Sequence, residues 1–264
     1  MHFFNTKNTR FVTVHNNAIK LWTLDVKTSK LAILDCALSQ NKRFINCVTV
    51  DPTDTYIYCG TRTGDILEIL VQSASYKRAG PVQKLFHGGI HQINIGFPNC
   101  LIVSTAKGSI ARINATTMVF EDEVNLESGP VVSLTNSMEK IYALTAGGSM
   151  FSVLGSEPLA NVSCFTTSIT NPVSAIHFPA GFGEIFAMRS RDEIRIWNVA
   201  DQRELLRITL QEHEGQSPFC NVMDFMPDGK SIVSGWTDGK IRAFTPQSGR
   251  LLYIIRDGHR INNN

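Results

Sequence analysis

A short unit that recurs along the chain constrains its fold more than any other feature. Each unit contains a two-residue turn rich in Gly, Asn or Asp, which tolerate a positive φ. The second residues of these turns stand at positions 17, 64, 108, 148, 192 and 239, so the units repeat every 40 to 47 residues. Four short strands with this period are typical of a β-propeller blade. The sequence predicts about six four-stranded blades in an all-β fold.

The clearest unit runs from residue 220 to residue 255. Pro227-Asp228-Gly229 and Asp238-Gly239 are turn signals, because proline fixes φ and glycine accepts a positive φ. The four strands predicted around these turns are residues 220–226, 231–235, 240–244 and 251–255.

An earlier unit repeats this pattern at a constant distance. Pro52 stands 175 residues before Pro227, and Gly64 stands 175 residues before Gly239. Runs such as SIVSG and LIVST are apolar on both faces of a strand, whereas a sandwich strand has one face in water. The pattern therefore favours blades that pack against a neighbour on both sides, and the sequence has no extended helical periodicity.

The composition excludes several classes of function. The chain is 43% hydrophobic and 18% charged, which favours a packed core over disorder. Its net charge of +2 is scattered along the sequence, so nucleic acid is not an expected partner. A secretory signal and an apolar run of membrane-spanning length are both missing, so no membrane association is expected.

Catalytic and metal-binding signatures are also missing. Motifs for hydrolases, zinc enzymes and nucleotide-binding loops do not occur, and the predicted first strands of the blades are poor in Asp, Glu and His. His87 and His91 have helical zinc-ligand spacing, but Gly88-Gly89 between them argues against a helix. We expect no catalysis, cofactor, metal or small-molecule substrate.

A few residues are weak candidates for contacts with a partner. Arg189, Arg191 and Arg195 form a small basic group near a turn, although an exposed hairpin with ordinary charges is the favoured interpretation. Trp236 follows a second strand, where an exposed ring would suit an interface, but it would equally suit packing between blades. The acidic run Glu121-Asp122-Glu123 is predicted to be a solvated loop.

Three segments carry a family resemblance. MPDGKSIVSGWTDGKIRAFTPQSGRLLYIIRDGHRI, EIRIWNVADQRELLRITL and YCGTRTGDILEI are similar to the cilia- and flagella-associated protein 52 family of WD-repeat proteins. Trp22, Trp197 and Phe244 occupy the place of the WD tryptophan. No Asp follows any of them, and the Gly-His pair that opens many WD repeats is mostly missing, so the usual hydrogen-bonded tetrad is not expected.

The resemblance implies a fold and a role. The family has two tandem seven-bladed propellers, so residues 1–170 would be later blades of the first and residues 171–264 early blades of the second. It also implies a non-enzymatic scaffold in the cytoplasmic cytoskeleton that binds tubulin and other microtubule inner proteins in the axoneme of cilia and flagella. A general WD40 adaptor in another cytosolic complex is the alternative function, and a closed six-bladed ring is the alternative architecture.

Overall fold

The computed structural model describes residues 1–96, 98–137, 139–155, 158–165, 173–179, 183–210, 217–256 and 258. The described residues form 24 β-strands, arranged as six four-stranded sheets. Each sheet is built from four strands that are consecutive in sequence and that neighbour each other in chain order. This meander is the arrangement expected of a propeller blade, and the predicted number of units and of strands in each is confirmed.

The strands are numbered here in chain order. Those of the first three sheets are β1 (His2–Phe3), β2 (Arg10–His15), β3 (Ala18–Asp25), β4 (Lys30–Asp35), β5 (Ile45–Val50), β6 (Tyr56–Thr61), β7 (Ile66–Leu70), β8 (Ser75–Gly80), β9 (Ile90–Gly96), β10 (Cys100–Thr105), β11 (Ser109–Asn114) and β12 (Phe120–Asn125). Those of the last three sheets are β13 (Val131–Ser137), β14 (Lys140–Thr145), β15 (Met150–Leu154), β16 (Ala160–Phe165), β17 (Val173–His177), β18 (Ile185–Ser190), β19 (Glu193–Asn198), β20 (Arg203–Thr209), β21 (Cys220–Phe225), β22 (Ile232–Trp236), β23 (Ile241–Phe244) and β24 (Leu251–Ile255).

The six predicted turns all connect the second and third strands of a sheet. Asn16 has a φ of 51°, and Gly64, Gly108, Gly148 and Gly239 have φ between 75° and 91°. A chain of L-residues reaches these angles most easily at Gly or Asn, and turns of this hand suit the twist of the strands that they join. The four strands predicted between residues 220 and 255 are confirmed to within one residue at each end.

The chain divides into two compact units. The first contains Met1–Leu134 and Gly155–Ala160, and the second contains Thr135–Leu154 and Asn161–Asn264. In the first unit, apolar clusters fill the space between sheets one and two and between sheets two and three. In the second unit, similar clusters lie between sheets four and five and between sheets five and six. The central strands are apolar on both faces because both faces are buried.

A carboxylate joins the first two sheets at their edge. Asp54 lies in the turn between β5 and β6, and its two oxygens accept hydrogen bonds from the backbone N–H groups of Asn5 and Thr6, at 2.8 Å each. The Asn5 amide and the Thr6 hydroxyl also donate to it, at 2.9 and 2.5 Å. Burial alone would raise the pKa of Asp54, but these donors outweigh it and lower the pKa to about 2.

This pKa predicts an acid-dependent contribution to stability. Because Asp54 has a lower pKa when folded than its ordinary 3.8, its stabilising effect is complete above about pH 4 and is lost as the pH falls towards 2. We expect Asp54→Ala to lower the urea midpoint of the first unit at pH 7, with a smaller difference at pH 2. A difference that is the same at both pH values would contradict the assignment. Trp22 is the tryptophan of this unit, and its fluorescence reports unfolding there. The other two tryptophans of the chain, at positions 197 and 236, belong to the second unit.

The acidic run at 121–123 is not a loop, contrary to the prediction. It lies in the outer strand β12, and each carboxylate has a partner. Glu121 accepts from Arg112 Nε at 2.8 Å, and Asp122 accepts from the backbone N–H of Leu159 at 2.7 Å. Glu123 accepts from the Ser109 hydroxyl at 2.5 Å and forms an ion pair with Lys84. A run of charged residues on an outer strand resembles a solvated loop in the sequence, because the residues that pair with it are distant along the chain.

Candidate protein-interaction surfaces

The first sheet carries an open aromatic face. Phe3, Phe11 and Trp22 are cross-strand neighbours on β1, β2 and β3, and Ile33 on β4 continues the row. The Phe3 and Phe11 ring centroids are 5.4 Å apart, and Phe11 stacks on Trp22 at 5.8 Å. Phe3 is 50% exposed and Ile33 is 52% exposed. A row with exposed ends and half-buried rings between them suits packing against a further sheet or another protein.

The fifth sheet contains an equivalent aromatic row, which is covered by a side chain of the fourth sheet. Phe178, Phe186 and Trp197 stand 175 residues after Phe3, Phe11 and Trp22. Their ring centroids are 5.5 and 6.3 Å apart, which is close to the spacing in the first sheet.

In the fifth sheet, Tyr142 from β14 packs on Phe178 with ring centroids 4.6 Å apart, and Phe186 is only 2% exposed. The face that is closed in the fifth sheet is therefore open in the first. One difference lies in the indole groups: Trp22 Nε1 donates to the Thr13 hydroxyl at 2.7 Å, whereas Trp197 Nε1 has no partner among the described residues.

Two outer strands are exposed along their whole length. All six residues of β4 and all five residues of β24 are exposed. The sequence of β24 is LLYII, and that of β4 is KLAILD with charges only at its ends. An outer strand presents unpaired backbone groups, so exposed apolar strands of this kind invite pairing with another chain.

The predicted basic group does not form one patch. Arg195 is buried with Glu193, and its Nε donates to that carboxylate at 2.7 Å. Arg189 is half-buried, its Nη1 donates to the Cys220 carbonyl at 2.8 Å, and burial lowers the pKa of its guanidinium. Arg191 is exposed, and its guanidinium lies 3.8 Å from the Phe219 ring centroid. Arg191 is thus the member of the group that reaches solvent, and contact of these residues with a partner stays a prediction.

Trp236 is placed in the core. Its side chain is 4% exposed and belongs to the cluster between sheets five and six. Its Nε1 donates to the Ser234 hydroxyl at 2.8 Å, and the Arg242 guanidinium lies 5.7 Å from its ring centroid. Of the two alternatives for Trp236, an exposed interface residue or packing between blades, the structure shows packing between blades.

Sequence reasoning missed a set of buried charges on the third strands. Glu68 pairs with Arg78, Arg112 pairs with Glu121, and Arg195 pairs with Glu193. Arg242 pairs with Asp238, whose pKa is lowered mainly by that hydrogen bond. Each interrupts a run of apolar residues, and that interruption was the available signal. A buried charge has to be paired, and these pairs allow the charged side chains to pack inside the sheets.

Burial also changes the ionisation of several cysteine thiols. Burial raises the pKa of Cys36 and Cys220 to about 11 and that of Cys47 to about 12. Because the thiolate is the nucleophilic form of a thiol, burial disfavours the reactive form of these groups near pH 7. Among the described residues, no group of three or more His, Cys, Asp or Glu side chains is arranged to hold a metal ion.

Comparison with known sequences identifies the relatives of this chain. Cilia- and flagella-associated protein 52 of Homo sapiens is 33% identical over 267 residues, which cover 98% of this chain and 41% of that protein. The chain is a relative of the cilia- and flagella-associated protein 52 family. The Chlamydomonas reinhardtii protein of this name is 30% identical, with 98% of this chain and 41% of that protein covered. For the Sus scrofa protein, the identity is 32% and the coverage is 95% and 40%.

The similarity to cilia- and flagella-associated protein 52 covers only part of those proteins. The chain spans about two-fifths of the length of the curated relatives that it matches. No protein-family model matches the chain. The described residues contain no helix with the length and hydropathy that a membrane span requires.

Solved structures show the same fold. The WD40 β-propeller domain of Doa1 superposes with a TM-score of 0.73 at 14% identity, covering 96% of this chain and 81% of that chain. A chain of the mitotic checkpoint complex gives a TM-score of 0.74 at 12% identity, with 97% and 76% covered. At these identities the likeness concerns the fold alone, and it confirms the predicted class, all-β with WD40-type propeller blades.

Proposed function

We propose that this chain is a non-enzymatic WD40 scaffold of the ciliary and flagellar axoneme. In this role it binds tubulin and neighbouring proteins inside the doublet microtubules, and it stabilises the axoneme for motility. The observation that carries the proposal is the similarity, over nearly the whole chain, to proteins named for their association with cilia and flagella. Tubulin and the inner proteins follow from the family resemblance.

The surface of the chain supports a binding role. The exposed strands β4 and β24 offer apolar area to another protein. Arg191 adds an exposed positive charge that suits an acidic surface such as that of tubulin. The buried charged residues on the third strands are each paired with an opposite charge, and burial raises the pKa of the Cys47 thiol, so neither feature favours catalysis.

We also propose that residues 1–170 and 171–264 belong to two successive propellers of a longer family architecture. The resemblance carries this division, and the relatives are long enough to contain further blades, since the chain covers about two-fifths of them. Limited proteolysis of a full-length relative checks it: a cut at the position that aligns with residue 170 is expected to leave two stable fragments.

Localisation in a flagellated cell tests the scaffold directly. We expect an epitope-tagged copy, expressed in Chlamydomonas reinhardtii, to lie along the flagella and to stay with the axoneme after detergent extraction. A protein that binds inside the doublets is protected by the tubule wall, so it should also resist a salt wash that removes outer-surface proteins.

A diffuse cytosolic signal, or complete release by detergent, would contradict the scaffold and favour the WD40 adaptor. Arg191→Glu is a useful variant, because it reverses a charge that is exposed and leaves the core untouched. If this residue meets tubulin, the retained fraction falls several-fold while the folding transition stays unchanged.

A further inference from the structure

A cavity opens between the second and third sheets, beside the turns that join β5 to β6 and β11 to β12. Its volume is about 500 Å³, which is typical of a site that binds a small ligand or a side chain of a partner. Ile95, Gly96 and Ala115 give it apolar walls, and the exposed residues Pro52 and Asn99 lie at its rim. All of its lining residues belong to the first compact unit, so the cavity is a feature of that unit alone.

A buried tyrosine hydroxyl reaches into this cavity. Tyr58 is 3% exposed, and its hydroxyl has no hydrogen-bond partner among the described residues. Burial, together with the charge of Glu68, raises the pKa of this hydroxyl, so it keeps its proton at neutral pH and is able to donate. Buried polar groups are nearly always hydrogen-bonded, so an unused donor that lines a cavity favours a bound acceptor.

Two cations in the cavity wall also have unused N–H groups. Lys77 Nζ lies 3.4 Å from Glu68 Oε1 and 4.0 Å from the Tyr56 ring centroid, which leaves ammonium hydrogens for a further acceptor. Arg78 donates from Nε to Glu68 and from Nη2 to the Thr116 carbonyl at 2.6 Å. Its Nη1 has no acceptor among the described residues. Both cations therefore have donors left over for a ligand in the cavity.

The carboxylates of the cavity already have donors. Glu68 is 1% exposed, and its two oxygens accept from the two cations, so one negative charge is shared between two positive ones. Asp51 accepts from the backbone N–H groups of Thr53 and Tyr56, at 3.2 and 2.6 Å. The groups of the lining that lack a partner are thus mainly donors, which favours a ligand with acceptor oxygens.

A cavity at the corresponding place in the second unit has a different lining. It lies between sheets four and five, has a volume of about 530 Å³ and is lined by residues that include Lys140 and Ser152. Ser152 stands 84 residues after Glu68, just as Tyr142 stands 84 residues after Tyr58. The described lining of this second cavity contains no aromatic ring, since Tyr142 is covered.

One side chain of the following sheet accounts for the difference. Phe178 packs on Tyr142 with ring centroids 4.6 Å apart. In the third sheet the corresponding residue is Ile95, which lies opposite Leu101 on β10 as Phe178 lies beside Phe186 on β18. Isoleucine is smaller than phenylalanine, so the tyrosine of the second sheet stays open to its cavity.

We propose that the cavity at Tyr58 binds an acidic side chain of a partner protein, with Tyr58, Lys77 and Arg78 donating to its carboxylate. An ionised carboxylate accepts several charge-assisted hydrogen bonds at once, which matches three donors on one cavity. The aliphatic stem of a glutamate would meet the apolar walls, and the exposed rim leaves room for the chain that carries it. The proposal is independent of the ciliary role, because it concerns binding by the purified chain alone.

Calorimetric titration of the purified chain tests the chemistry of the ligand. The probes are the terminally blocked peptide Gly-Gly-Glu-Gly-Gly, the same peptide with glutamine at its centre, and acetate. We expect the glutamate peptide to bind with a dissociation constant of roughly 1 mM or below. The glutamine peptide, which lacks the charge, and acetate, which lacks the stem, should bind at least roughly tenfold more weakly. Equal binding of the glutamine peptide would overturn the carboxylate, and equal binding of acetate would overturn the peptide side chain.

Three variants locate the binding site. Tyr58→Phe removes one hydroxyl and should weaken binding of the glutamate peptide roughly three- to tenfold. Lys77→Gln removes a charged donor and should weaken it at least roughly tenfold. Ile95→Phe copies the residue of the fifth sheet, so it should fill the cavity and abolish binding. Lys140→Gln, in the corresponding cavity of the second unit, is the matched control and should leave binding unchanged.

Two further results would overturn the proposal. One is a wild-type chain that shows no binding of the glutamate peptide at roughly 10 mM, a concentration well above the expected dissociation constant. The other is binding that Lys140→Gln weakens as much as Lys77→Gln does. Circular dichroism of each variant confirms that the sheets are intact. If Ile95→Phe does not fold, Tyr58→Phe still decides the matter, since undiminished binding by that variant contradicts the assigned donor.

Discussion

Replacing Gly64 with alanine is expected to destabilise the first unit strongly. Gly64 lies in the turn between β6 and β7 with a φ of +91°, where a β-carbon costs roughly 1 kcal/mol or more. The new β-carbon would also lie 2.1 Å from the Phe86 carbonyl oxygen and 2.7 Å from the Phe86 nitrogen. Because these are backbone atoms, no side-chain rotation relieves the overlap.

The expected loss in the free energy of unfolding is about 3 kcal/mol or more, a value typical of combined strain and overpacking. Gly129→Ala is the matched control within the same unit. Gly129 has a φ of +78°, but its added β-carbon would meet nothing within 4 Å. We expect this control to lose only the backbone cost, about 1 kcal/mol. Urea denaturation followed by Trp22 fluorescence measures both, and equal losses would contradict the steric argument.

The Gly64 turn also shows what the sequence was able to predict. Two-residue turns with Gly or Asn recur because the twist of a hairpin demands a positive φ, which few residues reach cheaply. Such a requirement is local, so it is visible in the sequence as a recurring Gly or Asn. The period of the turns, the number of sheets and the ends of β21 to β24 were all predicted from these recurring residues.

Features that depend on distant neighbours were less visible. Arg195 was read as an exposed charge, but it is buried because Glu193 lies beside it on β19 and both side chains point into the sheet packing. Trp236 was left undecided, since nothing in its local sequence distinguishes a surface loop from the cluster between sheets five and six. The cavity at Tyr58 depends on Ile95 from the next sheet, so the pattern around Tyr58 alone does not reveal it.

Residues 1–170 and 171–264 as parts of two propellers likewise stay a prediction. The chain splits into two compact units whose division runs through the fourth sheet, within residues 131–165. A compact unit is defined by contacts inside this chain, whereas a propeller boundary depends on which further blades complete each one. The division into compact units is therefore no test of the predicted boundary between propellers.

The buried pair of Glu193 and Arg195 is expected to give the other large effect. Both side chains are 6% exposed, and Glu193 also pairs with Arg207 at 3.3 Å. Glu193→Gln keeps the shape of the side chain but removes the charge that compensates Arg195 inside the sheet. Without this carboxylate, the nearest remaining anionic partner of Arg195 is Glu204, which is more exposed and lies 3.8 Å away. We therefore expect the free energy of unfolding of the second unit to fall by about 3 kcal/mol.

Two further variants separate the burial of the charge from the loss of a contact. Glu204→Gln removes a carboxylate that is more exposed and lies 3.8 Å from Arg195, and it should cost less than about 1 kcal/mol. Adding Arg195→Met to Glu193→Gln removes the buried cation that has lost its main partner and should recover most of the loss, because an apolar side chain suits the site. Thermal and urea unfolding, followed by Trp197 and Trp236 fluorescence, measure all three. If the double variant is less stable than Glu193→Gln alone, the stability of this sheet depends on the arginine itself and not on neutralising its charge.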